Sequence, residues 1–127
     1  MFQLFNLLLQ TLVIAAPIHV NEADLLKVTG LEKSYVMRET ENSLESYLYY
    51  DNNGISCGLE EFYVEGYTIT EGTESAPTKF EVITTVSGPV NYCAQYSQFQ
   101  CYTYFYLKNS TWNTLGAECE HGTEYNE

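Results

Sequence analysis

The residues best able to do chemistry are carboxylates set beside tyrosines. Glu61, Tyr63, Glu65 and Tyr67 alternate along one stretch, and Tyr102, Tyr104 and Tyr106 along another. Glu39 and Glu41 keep the same period-two step from Tyr35. A carboxylate pairs with a protonated amine, and a tyrosine ring face holds the cation from the side. The ligand-binding set read from these stretches is Tyr35, Glu39, Glu41, Glu61, Tyr63, Glu65, Tyr102 and Tyr104. In a half-buried sheet the same alternation marks the solvent side, with Phe62, Val64, Phe80, Val82, Phe105 and Leu107 as core. A tyrosine-rich sheet face also suits a protein partner, since tyrosine gives much contact area at low entropy cost. An enclosed cavity of roughly 300 Å³ or more separates the two uses.

Other chemistries are poorly supplied. There is no G-x-S-x-G elbow and there are only two histidines, so no enzyme is expected. No C-x-x-C pair occurs, and His19 and His121 flank no cysteine at ligand spacing, so neither a metal nor a cofactor is expected. Seventeen acids against five bases give a net charge of −12. The bases (Lys27, Lys33, Arg38, Lys79, Lys108) are scattered, which excludes nucleic acid and disfavours anionic membranes. A small cationic or amphipathic ligand is favoured, or a host protein. Anionic lipids fit less well, because Arg38 is the only arginine.

The elements that must position these residues follow from patterning. Residues 4–16 form an apolar run of h-region length, too short to span a bilayer, followed by Ala15 and Ala16. Residues 1–16 therefore read as a signal peptide, and 17–127 as a single disulfide-bonded β domain, secreted and extracellular. Asn109-Ser110-Thr111 is an acceptor for an N-glycan at Asn109. Asn21 caps a short helix with Glu22 and Asp24 in its first turn, and Gly30 stops it. Period-two alternation then predicts strands over 34–41 and 45–50, the latter leading to an Asn53-Gly54 hairpin. Further strands are expected over 55–69, 79–86, 90–96 and 100–107, with an extended piece over 111–118. In the strand over 55–69, Glu61, Tyr63, Glu65, Tyr67 and Ile69 share one face. The class is mostly β: an antiparallel sheet or a small lipocalin-like barrel with a short N-terminal helix. An open sheet can complete itself by forming a homodimer.

Four cysteines, Cys57, Cys93, Cys101 and Cys119, allow three pairings. Cys93 and Cys101 are eight residues apart around Tyr96-Ser97-Gln98. A fold-back there would set them on adjacent strands, and Cys57 would then join Cys119.

Residues 21–42 resemble the opening of the salivary lipocalins of ticks, the histamine-binding type. The matching positions are Asp24, Tyr35, Arg38, Thr40, Glu41 and Asn42, followed by Cys57 on the next strand. Cys101 at the start of an aromatic strand, and Cys119 after a turn near Trp112, are similar to the family's last two cysteines. The chain has Leu25-Leu26 where that family usually has a tryptophan, and fewer residues than eight strands need. The resemblance implies a secreted carrier that sequesters a biogenic amine such as histamine or serotonin. The other expected use is a secreted effector that blocks a host protein through its tyrosine-rich face. A lesser resemblance is to a cystatin-like sheet, because Thr85-Val86-Ser87-Gly88 resembles that family's central loop. The family's glutamine is absent, and the predicted helix is shorter than the family's.

Overall fold

The computed structural model describes residues 17–51, 59, 61–87 and 98–121. The segment read as a signal peptide, the hairpin expected at Asn53-Gly54, the strand expected over 90–96, Cys57 and Cys93 lie outside the described residues. A short strand β1 (Ile18–Val20) leads into helix α1 (Glu22–Thr29). Asn21 accepts a hydrogen bond from the Asp24 amide at 2.9 Å, as an N-cap does. Gly30 ends α1 in the left-handed region at φ 72°, donating to Leu26 O at 2.9 Å.

The next segment departs from expectation. Residues 33–51 form one 19-residue helix, α2 (Lys33–Asp51), in place of the strands expected over 34–41 and 45–50. Val36, Thr40, Leu44 and Leu48 are all buried and lie four residues apart. A step of four satisfies a helix stripe and also falls on one face of a strand, so the pattern has two readings. Tertiary packing overrides the strand preference of Tyr47-Leu48-Tyr49-Tyr50. The long helix meets the helix length lacking in the cystatin-like comparison, but Thr85–Ser87 lie inside a strand and not in a loop.

Four long strands follow: β2 (Glu61–Gly72), β3 (Pro77–Ser87), β4 (Gln98–Lys108) and β5 (Thr111–His121). The sheet is antiparallel in the order β1-β2-β3-β4-β5 and does not close into a barrel. β2 and β3 meet at a turn over Thr73–Ala76. Gly72 precedes it at φ 96°, where an added Cβ would lie 2.6 Å from Ala76 O and Thr78 N. Asn109 and Ser110, at φ 51° and 61°, make the tight two-residue turn between β4 and β5.

One sheet face packs on the helices. Leu25 and Val36 meet Tyr67, Ile69, Phe80, Val82 and Phe105 in one cluster. Leu44 and Leu48 meet Val86, Phe99 and Cys101 in a second. Buried Thr40, Thr84 and Thr103 also belong to this interior. The Thr84 hydroxyl donates to Cys101 O at 3.3 Å.

A β-bulge between Val64 and Gly66 changes which face β2 presents. Above it Phe62 and Val64 point inward, opposite Val86 and Thr84. The extra residue shifts parity, so Tyr67 and Ile69 also point inward, opposite Val82 and Phe80. Tyr67 and Ile69 are therefore core, and only Glu61, Tyr63 and Glu65 of the expected face remain outside.

The cysteine pairing is also corrected. Cys101 is bonded to Cys119, with Cα atoms 4.0 Å apart, so Cys101 does not pair with Cys93 nor Cys119 with Cys57. The chain folds back at Asn109-Ser110, and a one-residue bulge between Tyr104 and Phe105 then sets Cys101 directly opposite Cys119 in register.

Candidate functional site

The sheet face turned away from α2 carries the tyrosines and carboxylates. The ladder lines them up in rows. Tyr63, Thr85, Gln100 and Glu120 form one row, and Gly66, Ile83, Tyr102 and Glu118 the next. Thr68, Glu81, Tyr104 and Gly116 form the third, with His19 at its β1 end. Tyr106 follows, between Lys79 and Asn113. On β3 and β4 period-two geometry sends Glu81, Tyr102, Tyr104 and Tyr106 outward while Phe80, Val82, Phe99 and Phe105 go inward.

Hydrogen bonds hold several of them in place. Glu65 accepts from the Thr85 hydroxyl at 2.7 Å and from Gln100 Nε2 at 3.0 Å. The Tyr104 hydroxyl donates to Glu118 Oε2 at 3.3 Å. His19 Nδ1 lies 3.0 Å from Thr68 Oγ1. Partial burial raises the Glu81 pKa above the usual carboxylate range, and the nearby His19 partly offsets this. Loss of solvent pushes the Tyr104 hydroxyl up to about 12, reinforced by Glu118 and Glu81. Tyr102 is raised by the same desolvation and then by Glu120, Glu81 and Glu65. The patch is thus amphipathic and strongly negative. Two lysines stand at the turn end of this face: Lys79, 3.5 Å from Glu71, and Lys108, the last residue of β4.

The expected site residues divide. Glu65, Tyr102 and Tyr104 come together here, with Tyr63 beside them in the next row and Glu61 further along β2. Tyr35, Glu39 and Glu41 stand on α2, away from this face. Tyr35 donates to Trp112 O at 3.3 Å and stacks under Arg38, whose guanidinium carbon is 5.5 Å from the ring centre. Glu39 pairs with Arg38 at 3.4 Å, and Glu41 is exposed. Sequence reading missed Glu81, Glu118 and Glu120. Glu81 was recoverable, as the outward residue between Phe80 and Val82. Glu118 and Glu120 needed the β4–β5 register. Asn109 is exposed at its turn.

The hollows around these elements, of about 410 to 570 Å³, are open grooves. One of about 410 Å³ is lined by Glu81, Tyr102, Tyr104, Glu118 and Glu120 and reaches round the β5 edge to Cys119 and to Tyr47 of α2. Another of about 520 Å³ separates α2 from β5 and includes Glu39, Ser43, Ser46 and Leu115. Among the described residues no group of three or more histidines, cysteines and acids is placed to hold a metal ion. No described helix is long and apolar enough to cross a membrane.

The fold and face define a disulfide-bonded, mostly β protein with an open five-stranded sheet and one acidic, tyrosine-rich surface. No protein-family model, curated protein or solved structure matches the chain.

Proposed function

We propose that this is a secreted protein that binds a basic partner protein through the uncovered sheet face. The observation that supports it most is the placing of Tyr63, Tyr102, Tyr104 and Tyr106 among Glu65, Glu81, Glu118 and Glu120 on a face that neither described helix covers. Tyrosines at an interface centre can each contribute about 2 kcal/mol or more. An exposed ion pair contributes under about 1 kcal/mol, so the carboxylates mainly steer a cationic partner and set its orientation.

The amine-carrier reading depends on an enclosed cavity, and the hollows described are open to solvent. Calorimetry with histamine and serotonin at physiological salt tests it directly. Saturable heat would restore that reading. The face is tested by selecting from a random peptide library displayed on phage. Lysine- and arginine-bearing sequences should be enriched on the native protein and not on the Tyr102→Ser/Tyr104→Ser variant. Enrichment of acidic or neutral sequences, or equal enrichment on both proteins, overturns the proposal.

The length of α2 and the open sheet favour a second reading, drawn from the cystatin-like resemblance. Pro17, the turn over Thr73–Ala76 and the turn at Asn109-Ser110 lie at one end of the sheet. Three backbone segments at one edge can enter a cleft such as that of a cysteine protease, and this reading rests on them alone, because Thr85–Ser87 lie in β3 at the opposite end of the sheet. Titrating a papain-type protease checks it, and undiminished protease activity at excess protein removes it.

A further inference from the structure

We propose that the free edge of β5 takes up an extended, lysine- or arginine-bearing segment of the partner as a sixth strand. This rests on the reading that the partner is a basic protein. β5 ends the sheet order and is eleven residues long, so among the described residues one side of its backbone has no strand beside it. Such an edge is a template for strand addition. Proteins commonly blunt edges with lysine or proline, and Thr111–His121 contains neither.

The geometry shows which edge groups are open. The 4.0 Å Cα separation of Cys101 and Cys119 is that of a non-hydrogen-bonded pair, so the Cys119 N–H and C=O point away from β4. Alternation extends this to Ala117 and, across the bulge at Tyr104/Phe105, to Thr114 and Trp112. Helix α2 caps two of these carbonyls. Tyr47 donates to Cys119 O at 3.4 Å and Tyr35 to Trp112 O at 3.3 Å. Between them, Thr114 and Ala117 face the α2–β5 groove. The Thr114 hydroxyl is buried and has no hydrogen-bond partner among the described residues. Leu115, 62% exposed, offers an apolar contact beside it.

The charge around this edge selects the occupant. Beyond Arg38, α2 carries Glu39, Glu41 and Glu45 and no base, and β5 carries Glu118 and Glu120. Alternate residues of an added strand would lie beside Glu118 and Glu120 on the outer face, and the others in the groove beside Glu39, Ser43 and Ser46. Lysine or arginine at these places meets carboxylates on both sides. A second copy of this chain would instead bring another −12 of charge to the same edge.

The test uses the full chain and two synthetic peptides, one alternating lysine with valine and one alternating glutamate with valine. The lysine peptide should slow amide hydrogen exchange at Thr114 and Ala117 by about tenfold or more, and the glutamate peptide should not. Ala117→Pro removes an edge donor while keeping the bonds to β4, and should weaken lysine-peptide binding about fivefold or more. Unchanged exchange at Thr114 and Ala117 in the native protein overturns the inference, even if Ala117→Pro does not fold. Equal binding by the native protein and a folded Ala117→Pro, with loss in Tyr102→Ser/Tyr104→Ser, overturns the edge and leaves the face reading standing. Loss in Ala117→Pro alone upholds the edge and removes the face. A dimer in light scattering that Ala117→Pro dissolves gives the edge to a second copy and overturns the inference.

Discussion

Replacing Phe80 by alanine tests where the sheet and helices are joined. Phe80 is fully buried on β3, the central strand. Its ring stacks on Phe105 with centroids 4.8 Å apart and planes 2° from parallel. Trp112 meets it edge-on at 5.1 Å and 63°. Truncating a buried phenylalanine costs about 3–5 kcal/mol through lost transfer energy and the cavity left behind. The two ring contacts add about 0.5–1.5 kcal/mol per pair, which places this variant at the upper end. Domains of this kind hold only about 5–15 kcal/mol in total, so the loss is a large share. Phe80→Leu keeps most of the volume and should cost about 1.5 kcal/mol. Trp112 is the only tryptophan in the chain, so its fluorescence reports on this contact during urea unfolding. Val28→Ala, at an exposed position, should stay within about 0.5 kcal/mol as a control. A loss below about 1 kcal/mol for Phe80→Ala, with an unchanged denaturant slope, would refute this packing.

Tyr67 and Tyr104 are both raised to about 12, chiefly by burial, with Glu22 and Glu118 as the next causes. Their neutral forms are favoured in the folded state, so this stability is complete below about pH 10 and is lost as pH rises towards about 12. Ultraviolet titration should show two late tyrosines, and Glu118→Gln should lower Tyr104 without returning it to 10. With Cys101 bonded to Cys119, mapping of unreduced peptides should recover Cys57 linked to Cys93. Recovery of Cys93 with Cys101 would contradict the β4–β5 register. Material secreted by a eukaryotic host should lack residues 1–16 and lose mass on enzymatic removal of N-glycans from Asn109. A product that still begins Met1-Phe2, or Asn109 found unmodified, would count against secretion or glycosylation respectively.

Local chemistry alone marked out much of this molecule. Asn21 and Gly30 bound α1 because a side-chain cap and a left-handed stop act within a few residues. β3 and β4 were legible because their alternation has a period of two and no competing reading. The acidity of the surface follows from composition. What failed depends on long-range packing. The four-residue step of Val36, Thr40, Leu44 and Leu48 fits either element, and burial against the sheet selects the helix. One extra residue at Glu65-Gly66 sends Tyr67 inward, because a bulge reverses the parity of every residue after it. Strand register brings Cys119 to Cys101, and Glu118 and Glu120 to the tyrosines. Those partners lie 14 to 18 residues apart in sequence, and the tight turn at Asn109-Ser110 together with the bulge at Tyr104/Phe105 sets which residues meet.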